Sequence, residues 1–488
     1  MSMDRIETDI LVIGAGSGGL SVAAGAVQMG ARVVLVEGGE MGGDCLNAGC
    51  VPSKALIAAA GAAWAPSRAG AFGVTAQVPQ VDYAAVMAHV QDVISTIAPV
   101  DSQDRFEGLG VRVIRAWARF TGPREVEAGG HVIRARRIVI ATGSRPVVPP
   151  IPGLDDVDYL TNETLWDLRE RPGHLMIVGG GPIGIEMAQA HRRLGCEVTV
   201  VDGSRALGRE DPEMSELVLA RLREEGVVLR EGVSVSRVAR SQASGEAGSQ
   251  GPDEPGRGIT LTLDDGSTVT GTHLLIATGR KVVTDGLGLE AAGVRTGETG
   301  IVTDAALRTS NRRVYAIGDA AGGAQFTHLA GYHGATIIRP MLFGLPAKAR
   351  TDHIPRVTYA DPELAQVGLT EAEAREIHGS RLEVARFDFA DNDRAIASRR
   401  PEGLIKAMVV RGRPVGVSIV GADAGEHANL WALVLANRLK MSQISAMVSP
   451  YPTVGEVSKR VAGAYFSPKL FDSDIVKRVV GLVQRWVP

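Results

Sequence analysis

The sequence predicts an α/β protein with two tandem Rossmann-like dinucleotide-binding units. Two observations carry this prediction. A glycine-rich GxGxxG turn begins at Gly14 and again at Gly179, each time between a predicted strand and a predicted helix. Each unit then ends in an acidic residue, Glu37 in the first and Asp202 in the second, at the same distance from its first glycine.

Length and composition narrow the class of protein. The chain has 488 residues, sixty glycines, three cysteines and a formal net charge of −3. The length suggests about two to four domains, and the charge gives no reason to expect a nucleic-acid or membrane partner. Three cysteines exclude a disulfide-stapled secreted scaffold. The N-terminus lacks the apolar core of a signal peptide, so a cytoplasmic protein is expected.

The first unit contains every part of a dinucleotide fingerprint. Residues 9–13 read as a buried strand, a helix-like run follows the glycines, and residues 31–36 read as a second strand closed by Glu37. Gly14, Gly16 and Gly19 would shape the turn and admit a pyrophosphate to the helix N-terminus. The Glu37 carboxylate stands where it can accept from ribose hydroxyls.

The second unit repeats this order. A strand at residues 174–178 leads into Gly179, Gly181 and Gly184, and a helix and a strand at 197–201 precede Asp202. Acidic Asp202 favours the free ribose hydroxyls of NADH over a 2′-phosphate. Arg205, three residues later, would partly offset that preference, so NADPH is the alternative.

A cysteine pair follows the first unit, in the stretch 42–54 (GGDCLNAGCVPSK). On an ideal helix, Cys45 and Cys50 would have Cα atoms about 8–9 Å apart, whereas a disulfide needs about 5.5–6 Å. A bridge would therefore require a distorted turn, which Gly49 permits. The alternative is two reduced, buried thiols, the usual state of cysteine inside cells.

Two dinucleotides beside a cysteine pair imply electron transfer from one cofactor to the other and on to sulfur. Three further segments support a flavin. Residues 138–144 and 274–280 are strands that each end in an Ala-Thr-Gly turn, and residues 309–319 end at Asp319.

Together these motifs resemble the pyridine-nucleotide disulfide oxidoreductase family, the flavoproteins that include dihydrolipoamide dehydrogenase, glutathione reductase and mercuric reductase. Residues 357–371 (VTYADPELAQVGLTE) are typical of the family's interface domain. The resemblance implies a fold of two tandem Rossmann-like domains, for FAD and NAD(P), and a C-terminal α+β dimerisation domain. Its expected segments are 1–150 (FAD, redox disulfide), 151–280 (NAD(P)), 281–350 (return to the FAD domain), 351–466 (interface) and 467–488 (amphipathic tail).

The resemblance also assigns cofactor residues and implies no resident metal. The residues expected at FAD are Gly14, Gly16, Gly19, Glu37, Gly43, Lys54, Ala141, Thr142, Gly143 and Asp319. Those expected at NADH or NADPH are Gly179, Gly181, Gly184, Glu186, Asp202 and Gly279.

The implied catalytic residues are Cys45, Cys50, Lys54 and Glu186. By resemblance, reduced nicotinamide passes hydride to the flavin, which reduces a Cys45–Cys50 disulfide with Cys50 nearer the flavin and Cys45 facing substrate. Lys54 is implied to lie near the flavin's reactive edge, paired with Glu186, because a buried lysine without a carboxylate tends to lose its charge.

The C-terminal region departs from the family pattern. Disulfide reductases of this family usually carry a His-Pro-Thr-x-x-Glu motif whose His–Glu pair moves a proton in the partner's site. Here the motif reads Tyr451-Pro-Thr-Val-Gly-Glu456, and a phenol is a poor proton shuttle at neutral pH. Tyrosine resembles mercuric reductases, but the C-terminal cysteine pair usual in those enzymes is missing. Cys196, in a predicted buried strand, is expected to be inert.

Two stretches carry no motif. Residues 240–258 are rich in Ser, Gly, Glu and Pro and predict a mobile hairpin loop. Residues 474–487 alternate apolar and basic side chains at helical spacing. The ordinary interpretation is a helix packed on the body or on a dimer partner, and the alternative is peripheral membrane attachment.

The sequence therefore predicts a homodimeric FAD-dependent NAD(P)H oxidoreductase acting on a sulfur group, with Tyr451 and Glu456 completing the partner's site. The expected substrate is a small or protein-borne disulfide, lipoamide-like first. One alternative is reduction of a metal ion such as Hg(II) or Cu(II) by the same cysteines with Tyr451. Another is a non-catalytic flavoprotein binding subunit, against which the intact cysteine pair argues.

Overall fold

The structure of the protein is a computed structural model that describes residues 4–241 and 258–487. Its first sheet has the order β3-β2-β1-β6-β5-β4, with β1 parallel to both β2 and β6. The run Ile10 to Ile13 of β1 lies at the centre of this sheet. It is buried because helices or loops cover both faces of the sheet there. The elements of this segment are β1 (Asp4–Ile13), α1 (Ser17–Gln28), β2 (Val33–Glu37), α2 (Gly43–Asn47), α3 (Cys50–Ala69), α4 (Tyr83–Asp101), α5 (Gln103–Gly108), β3 (Arg112–Arg115), β4 (Arg119–Gly122), β5 (Glu125–Ala128), β6 (His131–Ile140) and β7 (Ser144–Pro146).

The second unit repeats the topology of the first. Its parallel sheet has the order β10-β9-β8-β14, and an antiparallel sheet β11-β12-β13 lies beside it. The predicted hairpin loop at 240–258 joins β11 to β12, and all but its end residues lie outside the described part of the chain. The elements are β8 (His174–Val178), α6 (Pro182–Arg193), β9 (Glu197–Asp202), α7 (Pro212–Glu224), β10 (Val228–Glu231), β11 (Val235–Arg240), β12 (Ile259–Leu263), β13 (Thr268–Gly271), β14 (His273–Ile276) and β15 (Arg280–Val282).

The chain then returns to the first sheet. β18 pairs in parallel with the C-terminal part of β6, and α8 packs on α1. The return places the end of β18, just before Asp319, beside the Ala-Thr-Gly turn that follows β6. The elements are β16 (Thr296–Gly297), β17 (Gly300–Ile301), β18 (Val314–Ala316) and α8 (Thr327–Phe343).

The C-terminal domain is an antiparallel sheet of order β19-β20-β23-β22-β21 covered by helices. Trp431 of α11 is fully buried in its core and donates a hydrogen bond to Ser458 of α13 at 3.1 Å. The elements are β19 (Pro355–Thr358), β20 (Glu363–Gly368), α9 (Glu371–His378), β21 (Leu382–Asp388), α10 (Asp393–Ala397), β22 (Leu404–Val410), β23 (Arg413–Gly421), α11 (Ala424–Ala436), α12 (Met441–Ser445), α13 (Glu456–Phe471) and α14 (Asp474–Trp486). The predicted fold class is confirmed, and the domain boundaries given above stay predictions.

A buried lysine joins the C-terminal domain to the second unit. The Lys406 ammonium lies 2.7 Å from Asp211, 3.0 Å from Glu213 and 2.8 Å from Glu371. Burial lowers the pKa of Lys406, but hydrogen bonds to the three carboxylates outweigh it and the pKa is raised. Removing this cation would leave buried Asp211 uncompensated, so the contact fixes the second unit against the C-terminal domain.

The last helix is an exception to this compact packing. α14 forms where the sequence predicts a helix, yet none of its residues is buried. The expectation that it packs on the body of its own chain is therefore wrong, since its apolar side chains find no apolar partner surface there.

Candidate active site

A cleft of about 2950 Å³ runs between the two nucleotide-binding units. It is lined by residues of both glycine-rich turns, by both cysteines of the 42–54 stretch and by Lys54. A cleft of this kind, at the carboxyl ends of parallel strands, is where open α/β sheets bind their ligands. The two sites predicted separately from sequence therefore open into one space.

The first turn is built for close approach of the backbone. Gly14 adopts a φ of +107°, and a Cβ there would overlap the carbonyl oxygen of Ala141. Gly16 then caps α1, which begins at Ser17 and points its first amides toward the cleft. Gly19 is buried against the carbonyl of Gly14, so a side chain at Gly19 would push the helix away from the turn.

Glu37 lies at the end of β2 and ties the turn together. Its carboxylate accepts hydrogen bonds from the amide of Ala15 at 2.5 Å and from the amide of Gly39 at 2.6 Å. Since the carboxylate also lines the cleft, one group fixes the turn and remains in position to accept from a ligand.

The two cysteines lie on two different helices. Cys45 belongs to α2 and Cys50 is the first residue of α3, with a break at Ala48 and Gly49 between them. The break supplies the distortion that the helix geometry demands, because it lets the two thiols turn toward each other and share a hydrogen bond. Both are free thiols here.

The surroundings favour the thiolate at Cys50. The pKa of Cys50 is lowered to about 6, chiefly by the hydrogen bond from Cys45. The Thr327 hydroxyl and the Lys54 ammonium also lower this pKa, whereas partial burial and the Asp44 carboxylate raise it. The Thr327 hydroxyl is 3.3 Å from the Cys50 sulfur. The same hydrogen bond raises the pKa of Cys45. The pair therefore holds its negative charge on Cys50 and its proton on Cys45.

Lys54 is held by a carboxylate from the second unit. Its ammonium donates to Glu186 of α6 at 2.8 Å and lies 4.4 Å from the centre of the Tyr359 ring. Glu186 is buried and also accepts from the backbone amide of Tyr359 at 2.8 Å. The pair thus joins α3, α6 and the C-terminal domain at the cleft wall.

The second turn reproduces the first. Gly179 adopts a φ of +112°, and a Cβ there would overlap the carbonyl oxygen of Ala277. Gly181 caps α6, and Gly184 is buried against the carbonyl of Gly179. Residues 181–183 at the start of α6 line the cleft, as residues 16–18 at the start of α1 do.

Comparison with known proteins supports this arrangement. Residues 8–334 match the family described as pyridine nucleotide-disulphide oxidoreductase, and residues 354–462 match the dimerisation domain of the same family. Mercuric reductase of Streptomyces lividans is 36% identical over 481 residues, covering 96% of this chain and 97% of that one. Dihydrolipoyl dehydrogenase of Bacillus subtilis (strain 168) is 34% identical over 469 residues, covering 94% and 96%.

A solved structure agrees with these sequence matches. The Cu(II) complex of the HOCl-induced flavoprotein disulfide reductase RclA from Escherichia coli superposes with a TM-score of 0.81 and 26% sequence identity, covering 94% of this chain and 99% of that one. The chain belongs to the pyridine nucleotide-disulphide oxidoreductase family. Its members are oxidoreductases that act on sulfur groups and use FAD and NAD(P)H.

The first turn of this family member has the features that FAD requires. Free helix amides, the Glu37 carboxylate and the Ala141-Thr142-Gly143 turn all border the cleft, as does Gly43, next to the Gly16–Gly42 bridge. Such a backbone cradle suits a pyrophosphate and a ribose. These residues would hold FAD, which supplies two-electron transfer when bound.

Asp319 belongs to a polar network at the same end of the cleft. It accepts from the Ser144 hydroxyl at 2.5 Å, and burial raises the pKa of its carboxyl despite that bond. Arg280 donates to the Ser144 hydroxyl at 2.8 Å and lies 3.2 Å from Asp44. The network ties the two Ala-Thr-Gly turns to the cysteine loop.

Asp202 holds the second turn as Glu37 holds the first. Its carboxylate accepts from the amide of Gly180 at 2.6 Å and from the amide of Ser204 at 2.7 Å. Arg205, expected to offset its charge, instead pairs with Glu216 at 3.0 Å. Gly279 borders the cleft beside this turn.

Tyr451 and Glu456 do not line the cleft of their own chain. The Tyr451 side chain is exposed and its hydroxyl donates to Asp393 at 2.8 Å, a bond that raises the pKa of the phenol. Glu456 begins α13 and lies 3.6 Å from Arg460. Within one chain, therefore, the structure does not bring these residues to the cysteines.

Cys196 lies apart from this chemistry. It is fully buried, and burial raises the pKa of its thiol to about 12. A thiol that is neither ionised nor accessible has no route to exchange, in keeping with the inert role expected for it.

Three contacts at the site were not predicted from the sequence motifs. Thr327 contacts Cys50, Tyr359 contacts Lys54, and Arg280 contacts Asp44. Thr327 has a weak signal in the sequence, because its hydroxyl begins a helix shortly after Asp319. Tyr359 has another, because it lies in the 357–371 segment. Neither signal says which partner the side chain meets.

Proposed function

We propose that this chain is an NAD(P)H-dependent flavoprotein reductase whose Cys45–Cys50 pair passes electrons to an external disulfide substrate. One observation carries the proposal: Cys50, with its lowered pKa, lies beside Cys45 in a cleft bordered by both nucleotide-binding turns. The cleft residues named above would hold FAD, which would supply two-electron transfer between reduced nicotinamide and the disulfide. NADH is the favoured donor, because Asp202 borders the cleft and the Arg205 side chain, which also borders it, is paired with Glu216.

The proposed steps balance in electrons and protons. The Cys45–Cys50 disulfide accepts two electrons and one proton from NAD(P)H, which leaves Cys45 as a thiol and Cys50 as a thiolate. Cys45 then attacks the substrate disulfide and releases one thiol. The Cys50 thiolate attacks the resulting mixed disulfide and restores the Cys45–Cys50 bond, and the second departing sulfur takes a proton from water to leave as a thiol.

The hydrogen bond between the thiols gives this sequence a proton path. Cys45 has the raised pKa and would attack only after losing its proton. Cys50, as thiolate, can take that proton and pass it to the first departing sulfur, so that it is a thiolate again for its own attack. Lys54, fixed by Glu186, keeps a positive charge near the thiolate while the charge is on Cys50.

A metal ion is the second candidate electron acceptor. The raised pKa of the Tyr451 phenol favours it. A leaving thiolate of a disulfide substrate needs a proton, and a phenol with a raised pKa supplies it poorly. Reduction of Hg(II) by the dithiol pair needs no proton donor: the ion takes two electrons and the disulfide re-forms. Cu(II) would take one electron per ion, so two ions are consumed. Thiolates suit soft metals of this kind.

The proposal includes a homodimer in which Tyr451 and Glu456 complete the partner's site. Both residues lie away from the cleft of their own chain, and residues 354–462 match the family's dimerisation domain. A non-catalytic binding subunit is the least favoured alternative, because it leaves the thiol pair and the Lys54–Glu186 ion pair without a purpose.

A substrate panel tests the proposal. NADH oxidation by the FAD-loaded dimer is measured with lipoamide, oxidised glutathione, Hg(II) and Cu(II) salts. Cys45→Ser and Cys50→Ser should each lower turnover of the best acceptor roughly 1,000-fold or more, since each removes a reacting sulfur. Cys196→Ser, the matched buried control, should leave turnover unchanged. Full activity in both active-site variants would overturn the proposal.

Tyr451→His separates the two acceptors. If a disulfide is the native substrate, the imidazole should raise lipoamide turnover, because its pKa near about 6.5 suits proton transfer at neutral pH. If a metal ion is native, metal-dependent oxidation should exceed lipoamide turnover in wild type and gain nothing from the variant. If Tyr451→His raises turnover with a metal ion and does not raise it with lipoamide, both roles proposed for Tyr451 are contradicted.

A further inference from the structure

The C-terminal helix α14 presents a continuous apolar face to solvent. None of its residues is buried. Ile475 is 74% exposed, Leu482 60% and Trp486 78%. The preceding helix adds Phe471, 69% exposed. Single exposed apolar residues are ordinary, but a contiguous apolar face on a formed helix marks an interaction surface.

The face is unusually complete. At about 100° per residue, the apolar side chains of α14 fall within an arc of about 160° and the polar ones within the remainder. No polar residue interrupts the apolar arc. Its members are Ile475, Val476, Val479, Val480, Leu482, Val483 and Trp486.

The polar face is basic. Lys477, Arg478 and Arg485 lie on it and Asp474 is its only acidic residue, at the N-terminus of the helix. Arg478 and Lys477 flank the apolar arc on opposite sides, where long side chains can reach upward from an apolar layer. This local positive charge stands out in a chain whose formal net charge is −3.

These properties fit a lipid surface better than a protein groove. A helix with a wide apolar arc, basic flanks and an aromatic residue lies in the membrane interface, and tryptophan favours that layer. The described part of the chain contains no helix that is long and apolar enough to cross a bilayer. α14 itself, with 13 residues, is about 20 Å long, shorter than the roughly 30 Å apolar core.

A second copy of the chain explains the face less well. The match to the family's dimerisation domain ends at residue 462, before α14 begins. Pairing of two such helices would use a narrow seam of the coiled-coil kind and leave much of a 160°-wide arc, about two-fifths of the circumference, in water.

We propose that α14 is a peripheral membrane anchor, which binds anionic lipid by embedding its apolar face and placing Lys477, Arg478 and Arg485 among the headgroups. The site is distinct from the cleft, because α14 contributes no residue to the cleft lining. Membrane binding and electron transfer are therefore separable by mutation.

Vesicle flotation of the full-length, FAD-loaded protein tests the proposal. The protein should float with phosphatidylcholine vesicles that contain phosphatidylglycerol, and much less with pure phosphatidylcholine. High salt should weaken binding, since charge attraction to the surface is screened. Failure to bind the anionic vesicles at low salt would overturn the proposal.

Three variants sharpen the test. Leu482→Glu, in the apolar arc, and the double variant Lys477→Glu/Arg478→Glu should each lower the fraction bound at least about tenfold. Val78→Glu changes a valine that is 92% exposed and lies outside any helix or strand, and should bind as wild type does. Equal loss in Val78→Glu would show a non-specific effect and contradict the proposal.

Light scattering measures the mass of each variant in solution. It tests whether a second copy of the chain, instead of lipid, covers the apolar face of α14. Wild type and Leu482→Glu should have the same mass and the same bound flavin per chain. A fall in mass for Leu482→Glu, without vesicle binding by wild type, would assign the face to a second copy and overturn the membrane proposal.

Discussion

The two nucleotide-binding units of this chain share one backbone design and differ in what they contribute to chemistry. Each has a parallel sheet of matching strand order, a glycine in the left-handed region at the start of its turn, and a carboxylate that ties the turn to the following loop. Gly14 packs on Ala141 and Gly179 packs on Ala277 in the same way.

The units diverge after the acidic residue. After Glu37 the chain passes back along the glycine-rich turn of the first unit, where Gly42 forms a β-bridge with Gly16. It then forms the two helices that carry the cysteines. After Asp202 the second path leads instead to α7, whose cap Asp211 is held by Lys406 of the C-terminal domain. The segment after Glu37 thus places the cysteines in the cleft, and the segment after Asp202 fixes the second unit against the C-terminal domain.

The helices diverge at one equivalent position. Seven residues after its first glycine, α1 carries Ser21, which is exposed and donates to the carbonyl of Ser17 at 2.7 Å. The equivalent residue of α6 is Glu186, which is buried and holds Lys54. A repeated scaffold can therefore supply the reacting group from one copy and the counter-charge from the other.

The largest expected effect comes from the matched glycines. Gly14→Ala and Gly179→Ala add the same methyl at φ values of +107° and +112°, with strain of about 1–3 kcal/mol besides the overlap. Gly14→Ala should lose most of its bound FAD, whereas Gly179→Ala should keep FAD and show a KM for NADH raised roughly tenfold or more. Flavin absorbance per chain and steady-state kinetics measure both. Loss of FAD from Gly179→Ala would break the assignment of the two units.

A smaller effect is expected at the equivalent helix positions. Lys54→Met should slow flavin reduction by NADH roughly 10- to 100-fold in stopped-flow absorbance, because a fixed positive charge in the cleft is lost. Glu186→Gln should slow it less, and the double variant should resemble Lys54→Met, since the two residues act as a pair. Ser21→Ala is the matched control and should be silent. Additive losses at Lys54 and Glu186 would argue against a shared role.

The smallest effect concerns the pH dependence of Cys50. Since the Thr327 hydroxyl helps to lower the pKa of Cys50 to about 6, Thr327→Val should raise that pKa toward the free-thiol value of about 8.5. At a pH near 6.5 the variant then has less thiolate and is alkylated more slowly. The rate of iodoacetamide labelling of the reduced enzyme against pH measures the midpoint. A midpoint that stays fixed would show that Cys45 and Lys54 alone set the pKa.

Local sequence patterns predicted the parts of the site that are made of backbone. The turns at Gly14 and Gly179 and the carboxylates that close them are encoded within about 25 residues, and the break between Cys45 and Cys50 follows from helix geometry. Contacts between distant segments were harder to predict. Thr327 meets Cys50 across 277 positions and Glu186 meets Lys54 across 132. Only the resemblance to a family indicated the Lys54–Glu186 pair, and nothing indicated that Thr327 contacts Cys50.

The sequence by itself therefore determined the fold class, the two glycine-rich turns and the position of the cysteine pair, because each depends on short-range rules of backbone shape and side-chain spacing. The tertiary structure decided which sulfur carries the charge, since the pKa of Cys50 depends on Cys45 of α2 and Thr327 of α8 as well as on Lys54 of its own helix. It also decided that α14 stands free, because exposure depends on whether the rest of the chain offers that apolar face a surface to cover it.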